Sequence, residues 1–291
     1  MQTNAPLILT GERFHPEMSG YIALEHMHRY IYASAYAEGK IVLDIASGEG
    51  YGAALLASRA IFVFGVDIAE DAIAHARRKY RFDNLQFRQG SCSQIPLKDG
   101  AVDLVISFET IEHHDQHEQM LAEIKRVLKP NGIALVSSPN KAIHTDKLAN
   151  QNPFHVKELY REEFETLFRR HFKNVVRLGQ KVIFGSAIIP DAGATTAPLV
   201  STDLAGTRSS PELSEPTYNL VLASDAPISA ATVSFFEAGD SSSTKLATRL
   251  DRRWNSYLRR GYEIIRWQGV PAFLRQSAAK LHQIVKAFRE R

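Results

Sequence analysis

A single cysteine, Cys92, stands in 291 residues, which excludes an internal disulfide and any cysteine-built metal cluster. No run of about 18 apolar residues occurs, so no segment reads as a membrane-spanning helix. The start, MQTNAPLILTGER, lacks the apolar core of a secretory signal. The expected compartment is the cytoplasm, including the inner face of the membrane as a peripheral site. Internal repeats are absent too, which removes solenoids and propellers. What remains, 44% hydrophobic and 23% charged residues, is an ordinary globular composition sufficient for one large domain and an appendage.

The net charge of +3 is small but unevenly spread. From Lys245 to Arg291 there are 12 Lys/Arg against 3 Asp/Glu, which leaves residues 1 to 244 at a net −6. An acidic main body argues against a nucleic-acid acceptor, because phosphate neutralisation needs basic surface near the site.

The stretch IVLDIASGEGYG, Ile41 to Gly52, organises the rest. Its β-branched run reads as a buried parallel strand ending in Asp44. The small residues Ala46, Ser47, Gly48 and Gly50 then lead into a helix whose first N–H groups a ligand can approach closely. Gly48-x-Gly50-x-x-Ala53 fits a dinucleotide fingerprint in its G/A form, a weak signal alone. A second strand, Ile61 to Val66, ends in Asp67, where a carboxylate suits two ribose hydroxyls.

With those residues in place, VLDIASGEG resembles the first motif, hhDxGxGxG, of the class I S-adenosylmethionine-dependent methyltransferases. Ala46 replaces the first glycine, a mild departure if its φ stays negative. The resemblance implies S-adenosylmethionine as cofactor. It carries over Asp44, the backbone from Ala46 through Ser47 and Gly48 to Gly50, Asp67 on the ribose, Ile68 against the adenine, and Phe108 after the fourth strand. In the loop GSCSQIP, Ser91 stands where an acidic residue commonly meets the adenine amine, beside Cys92, which reads as a small apolar wall.

In chain order, residues 1–39 read as an irregular arm with Pro6 and Pro16, followed by a helix from Tyr21 to Ala37 that in this family covers the cofactor. Arg13, His26, His28 and Arg29 could reach a carboxylate or the acceptor, but their pattern reads first as a solvated face. Strands are expected at 41–45, 61–66, 84–88, 101–107 and 132–138, with helices at 52–59, 70–80 and 116–128. Such alternation specifies a parallel sheet covered on both faces. Asp115 and Glu118 form a capping-box pair for the helix at 116, and Pro130-Asn131-Gly132 is expected to stop it. A further helix spans Glu158 to Phe172. Strands Val175 to Ile183 and Tyr218 to Ala223 match the closing antiparallel hairpin of the methyltransferase sheet. Between them, 191–216 is small, polar and proline-containing and is read as a mobile loop. The fold class is thus α/β, a Rossmann-like doubly wound seven-stranded sheet within a domain spanning 40–225. Residues 226–291 form a linker and a basic helical tail, with Leu246, Leu250, Trp254, Tyr257, Ile264 and Ile265 on one stripe and Leu274, Leu281, Ile284, Val285 and Phe288 on another. Such a tail suits an anionic membrane surface, a protein partner, or its own domain.

The fourth strand runs into SFETIEHHDQHEQ. Glu109, Glu112 and His113, spaced E-x-x-E-H, come onto one side of a helical turn. This resembles the metal-binding motif of ubiquinone-biosynthesis O-methyltransferases and small-RNA 2′-O-methyltransferases, in which a further histidine follows the fifth strand. His155 in NPFHVKELYREEF occupies the corresponding place. The resemblance implies a divalent ion, magnesium or similar, on Glu109, Glu112, His113 and His155, lowering the pKa of an acceptor hydroxyl. Two other readings stand beside it: His113 or His114 as a general base oriented by Glu112, or a purely structural role. His117 is expected to face solvent.

The arm, the SFETIEHHDQHEQMLAEIKRVLKPNG phrase and the NPFHVKELYREEF stretch together look like methyltransferase domains of bacterial polysaccharide assembly, a likeness spanning about Thr10 to Ala223. It implies O-methylation of a sugar hydroxyl on a glycan or lipid-linked saccharide. A small phenolic or isoprenoid acceptor, a cofactor-binding scaffold without turnover, and a dinucleotide oxidoreductase are the alternatives.

Overall fold

The structure is a computed structural model that describes Phe14, Met18, residues 20–183, the backbone of 199–203 and 206–210, Leu213, residues 215–228 and Ser234. The expected helical tail from 241 lies outside these residues, as does Arg13.

Nine strands and five α-helices are described: α1 (Tyr21–Ala37), β1 (Ile41–Ile45), α2 (Tyr51–Ala57), β2 (Phe62–Asp67), α3 (Glu70–Lys79), β3 (Leu85–Gln89), β4 (Val102–Ser107), α4 (His117–Val127), β5 (Leu128–Pro139), α5 (Arg161–His171), β6 (Asn174–Gln180), β7 (Leu199–Asp203), β8 (Gly206–Ser210) and β9 (Tyr218–Ser224). Seven of the strands form one sheet in the order β3-β2-β1-β4-β5-β9-β6. β1 pairs in parallel with both β2 and β4, and β9 lies antiparallel between β5 and β6. The expected seven-stranded α/β sheet with its closing antiparallel strand is what forms. Strand order reverses between β1 and β4, which opens a crevice at their carboxyl ends.

Both faces of the sheet are covered, and this explains why the strands read as continuous apolar runs. Leu43 and Ile45 of β1 point to one core with Met120, Leu121 and Ile124 of α4 and Phe164 and Phe168 of α5. Val42 points to the other, with Tyr30 and Ala33 of α1, Leu56 of α2 and Ile73 of α3. Each of these fully buried aliphatic side chains contributes about 1.5–3 kcal/mol. Helix ends follow the dipole: Glu70 and Asp71 open α3 while Arg77, Arg78 and Lys79 close it.

Three local expectations are corrected. Asp115 and Glu118 form no capping box: α4 begins at His117, with His114 Nδ1 accepting the Gln116 N–H at 3.1 Å, and Glu118 binds Arg170 and His171 instead. The helix ends at Val127, within one residue of the expected 128, but Pro130-Asn131-Gly132 is not its stop: the chain passes straight into a 12-residue β5 that contains the proline. Within the stretch read as a mobile loop, β7 and β8 pair as a two-stranded antiparallel hairpin, consistent with the β-forming Leu199, Val200 and Thr202. No helix among the described residues is long and apolar enough to cross a membrane.

Candidate active site

The loop after β1 is shaped by close packing. Gly50 has φ +94, and a Cβ there would lie 2.7 Å from the Phe87 ring and 2.9 Å from Ala76 Cβ. At Gly52 a Cβ would fall 2.1 Å from Tyr30 Cζ, so glycine lets α1 lie directly on α2. Tyr30 also donates its hydroxyl hydrogen to Asp44 at 3.1 Å. Ala46 adopts φ +61, so the condition under which alanine is only a mild departure, a negative φ, is not met. The turn needs a left-handed residue there whether or not it is glycine, and the strain costs about 1–2 kcal/mol.

Asp44 is fully buried, and that burial raises its carboxyl to about 7, opposed by the Tyr30 hydrogen bond and reinforced by Asp67. Asp67 accepts the Gly48 N–H at 2.8 Å and the Ala69 N–H at 2.9 Å, which holds its carboxylate across the loop. Ile68 is 69% exposed beside it. Ser47 holds the loop to β2 through its N–H on Val66 at 3.0 Å, but its hydroxyl is buried without a hydrogen-bond partner. Glu49, which the sequence did not single out, is buried and ties the loop to α3 through His75 at 3.1 Å, Lys79 at 2.9 Å and the Tyr80 hydroxyl at 2.8 Å. In the next loop Ser91 bonds Ser93 at 2.9 Å. Arg126 clamps that loop, donating to the carbonyls of Leu97 and Ile95.

The residues after β4 separate into two groups. Glu109 has φ +52, which swings its side chain away from Glu112. It accepts the Ser137 hydroxyl at 2.6 Å and lies 3.8 Å from Arg29 Nη1. It therefore leaves the expected ligand set. A 3-10 turn at Ile111–His113 also removes the α-helical spacing on which that set relied. Glu112 is 1% exposed, with both carboxyl oxygens lacking a hydrogen-bond partner. Burial, and then the charge of Glu109, push its pKa well up. Leaving such a group unsatisfied costs about 1–3 kcal/mol, the signature of a site held ready for a proton or a cation.

Around Glu112 the structure gathers imidazoles. His113 Nδ1 donates to the Phe154 carbonyl at 3.1 Å, which leaves Nε2 as the basic nitrogen, 3.9 Å from Glu112 Oε1. His155 Nδ1 bonds Glu158 Oε1 at 2.5 Å and its Nε2 faces the Asn152 amide at 3.0 Å. Because Asn152 Oδ1 accepts the Phe154 N–H, its nitrogen must donate to His155 Nε2, which fixes the tautomer with the proton on Nδ1. Glu158 also receives the Thr145 hydroxyl. Burial works to raise Glu158, yet the bonds from His155 and Thr145 hold it below its usual range. His144 stacks on His155 with centroids 5.8 Å apart. Ligand atoms of Glu112, His113 and His155 lie within 4.8 Å of one another, and so do those of His144, His155 and Glu158. Sequence reasoning missed His144 and Glu158. The one available signal was a histidine and a glutamate flanking NPFH.

Two histidines are placed otherwise than expected. His114 meets Cys92 Sγ at 3.3 Å through Nε2 and accepts from Gln116 through Nδ1, so both nitrogens are engaged and it does not stand as a general base. Cys92 packs against the core as expected of a small apolar wall and is in addition a partner of His114, its thiol pushed up by burial. His117 is buried rather than solvent-facing and bonds the His114 carbonyl at 2.8 Å. The α1 face is also not a solvated one: Arg29 is 2% exposed, and His26 is half-buried, stacked on Phe14 and bonded to the Tyr51 hydroxyl.

Comparisons with known proteins agree with this geometry. A family model described as a methyltransferase domain matches residues 43–136. A probable S-adenosylmethionine-dependent methyltransferase of Mycolicibacterium smegmatis is 37% identical over 164 residues, 55% of this chain and 63% of that protein. One of Mycobacterium tuberculosis H37Rv is 36% identical over 166 residues, 56% and 60% of the two chains. The matches therefore span about six tenths of these relatives' length. A solved protein of Pyrococcus horikoshii shares the fold, with TM-score 0.52 at 20% identity over 74% of this chain and 98% of that one. Residues 43–136 thus match a methyltransferase domain, and the chain is similar to S-adenosylmethionine-dependent methyltransferases over about six tenths of their length.

Proposed function

We propose that this chain moves a methyl group from S-adenosylmethionine to a hydroxyl of a glycan or lipid-linked saccharide. The cofactor supplies an already activated methyl on a sulfonium, so the protein's tasks are to align the acceptor and to accept its proton. Buried Asp44, Asp67 across the loop and exposed Ile68 fit an adenosyl ligand. The observation that carries O-methylation is the set beyond β4: a dry carboxyl on Glu112 beside His113 and the His155–Glu158 pair. His155 Nε2 holds a lone pair whose present partner, the Asn152 amide, a hydroxyl can replace, while Glu158 stabilises the imidazolium that forms. Saccharide as the acceptor class rests on the likeness to polysaccharide-assembly methyltransferases. The basic tail is assigned to an anionic membrane surface or an assembly partner, with the chain on the cytoplasmic side.

A divalent ion is the second reading, favoured by the same orphaned carboxyl. Glu112, His113 and His155 would hold it, without Glu109, and Glu158 behind His155 is the arrangement that orients a histidine ligand. Bound there it would lower the pKa of the acceptor hydroxyl.

The test is incorporation of radiolabelled methyl into cell-envelope glycan and lipid-linked saccharide fractions, with phenolic and isoprenoid acceptors in parallel. Label in saccharide is expected, base-stable as an ether. Label confined to a phenol or to a carboxylic ester overturns the acceptor class.

A further inference from the structure

The end of α3 carries a run that the sequence motifs do not account for. Arg77, Arg78, Lys79 and Arg81 put four cations in five positions of a stretch, residues 1 to 244, whose net charge is −6. Part of that charge has local work. Arg77, Arg78 and Lys79 lie in the last turn of α3, where cations offset the helix dipole, and Lys79 also binds buried Glu49 at 2.9 Å. Arg81 has neither task. Tyr80 leaves the helix with φ −115 and ψ 109, so Arg81 lies beyond the last turn. It is exposed, and among the described residues no carboxylate pairs with it.

Arg77 and Arg81 meet at one pocket of about 350 Å³, walled also by Tyr80, Leu85, Gln86 and Phe87. Its charged groups are all cations. Arg77 donates through Nε and Nη2 to the Phe87 carbonyl at 3.1 and 2.7 Å, which leaves its Nη1 hydrogens to offer. Phe87 lies in β3, an edge strand of the sheet. The N–H and carbonyl of one strand residue point the same way, so the Phe87 N–H faces that same open side. The Tyr80 hydroxyl donates to Glu49 at 2.8 Å, and Tyr80 therefore gives the pocket its ring rather than its oxygen. Two guanidiniums without a carboxylate between them select a compact, acceptor-only anion, and phosphate matches their fork. The volume leaves space beyond one phosphate for a small organic group against Tyr80 and Leu85. This place is not the crevice: α3 runs back from the carboxyl end of β2, so its last turn lies toward the amino ends of the strands.

We propose that the pocket between the end of α3 and β3 is a second binding site, for a phosphate monoester held by Arg77 and Arg81. A soluble ester and the phosphomonoester head of a lipid share that chemistry. The site is independent of the acceptor, and no step of methyl transfer passes through it.

Two measurements on the full chain test it and separate the sources. One is calorimetric titration with glycerol 3-phosphate. The other is sedimentation with vesicles of phosphatidic acid against vesicles of phosphatidylglycerol at matched surface charge, since the basic charge of residues 245–291 answers to both lipids alike. Glycerol 3-phosphate is expected to bind with Kd about 1 mM or tighter at low ionic strength, which names a soluble ester; a preference for phosphatidic acid without that binding names the lipid head. Either signal should fall about tenfold or more in Arg81→Gln, whose exposed side chain can be changed without disturbing the fold. Arg78→Gln, equally exposed but outside the pocket, should leave it within about twofold. Equal losses in the two variants would mean diffuse attraction to a basic surface, and the site would be wrong. So would binding that disappears when S-adenosylmethionine saturates the chain, which would put the phosphate in the crevice, or the absence of both signals in the wild type.

Discussion

The hydroxyl of Tyr30 donates to Asp44 at 3.1 Å while the same ring occupies the space a side chain at residue 52 would need. One residue of α1 thereby fixes both the acidic strand end and the first turn of α2. Substitution of Gly52 by alanine should displace the ring and break that bond. The expected loss is about 1–3 kcal/mol of stability, read as a lowered urea midpoint, together with weaker cofactor binding. An unchanged midpoint would show that α1 does not pack on Gly52.

Asp44 makes cofactor binding pH-dependent. Burial holds its carboxyl at about 7, against about 3.9 in an unfolded chain. A raised carboxyl contributes stability that is whole below pH ~4 and is lost as pH climbs through about 7. A bound sulfonium favours the ionised form, so binding should release a proton and tighten as pH rises to about 7, then level off. Calorimetry at pH 6 in two buffers of different ionisation heat reads this directly. Identical heats, or the same slope in Asp44→Asn, would refute it.

Ala46 at φ +61 carries strain that glycine does not. Ala46→Gly should stabilise the protein by up to about 1 kcal/mol, the left-handed penalty less the greater unfolded-state entropy of glycine. Ala46→Val should destabilise it by more than that. Denaturant melts of both variants measure the difference, and a destabilised glycine variant would contradict the backbone assignment.

Glu112 and Glu109 should respond differently. Since burial keeps the Glu112 carboxyl raised, Glu112→Gln is expected to leave the melting temperature unchanged or higher near neutral pH while turnover falls by about a hundredfold or more. Glu109→Gln, outside the imidazole cluster, should spare any chelator sensitivity that the wild type shows. Chelator sensitivity that vanishes with Glu109 but survives loss of Glu112 would return the metal to the set the sequence suggested.

The alternation of apolar runs and amphipathic stretches carried the sheet, because strand and helix periodicity are local and both faces of this sheet are buried. For the same reason Asp44 and Asp67 were legible: each is the first polar residue of an apolar run, one residue before the end of β1 and at the end of β2 respectively. The positive φ of Ala46 was not legible because φ depends on what holds the turn, here the next residue's N–H on the Val66 carbonyl of β2.

Glu109 and Glu112 show where local reading stops. Their spacing places them on one face only if the backbone between them is α-helical. A left-handed residue followed by a 3-10 turn sends one to Arg29 and the other toward His113 and His155. Arg29 read as a solvated helix face because its partner Gln180 lies 151 residues away. The sequence by itself determined the order of strands and helices, the small-residue loop after β1 and the likeness to methyltransferase domains. Only the tertiary structure decided which side chains share the candidate site, since the contacts that bury Arg29, tie off His114 and bring His144 and Glu158 to His155 are long-range or depend on turn geometry, and neither leaves a periodic trace in the chain.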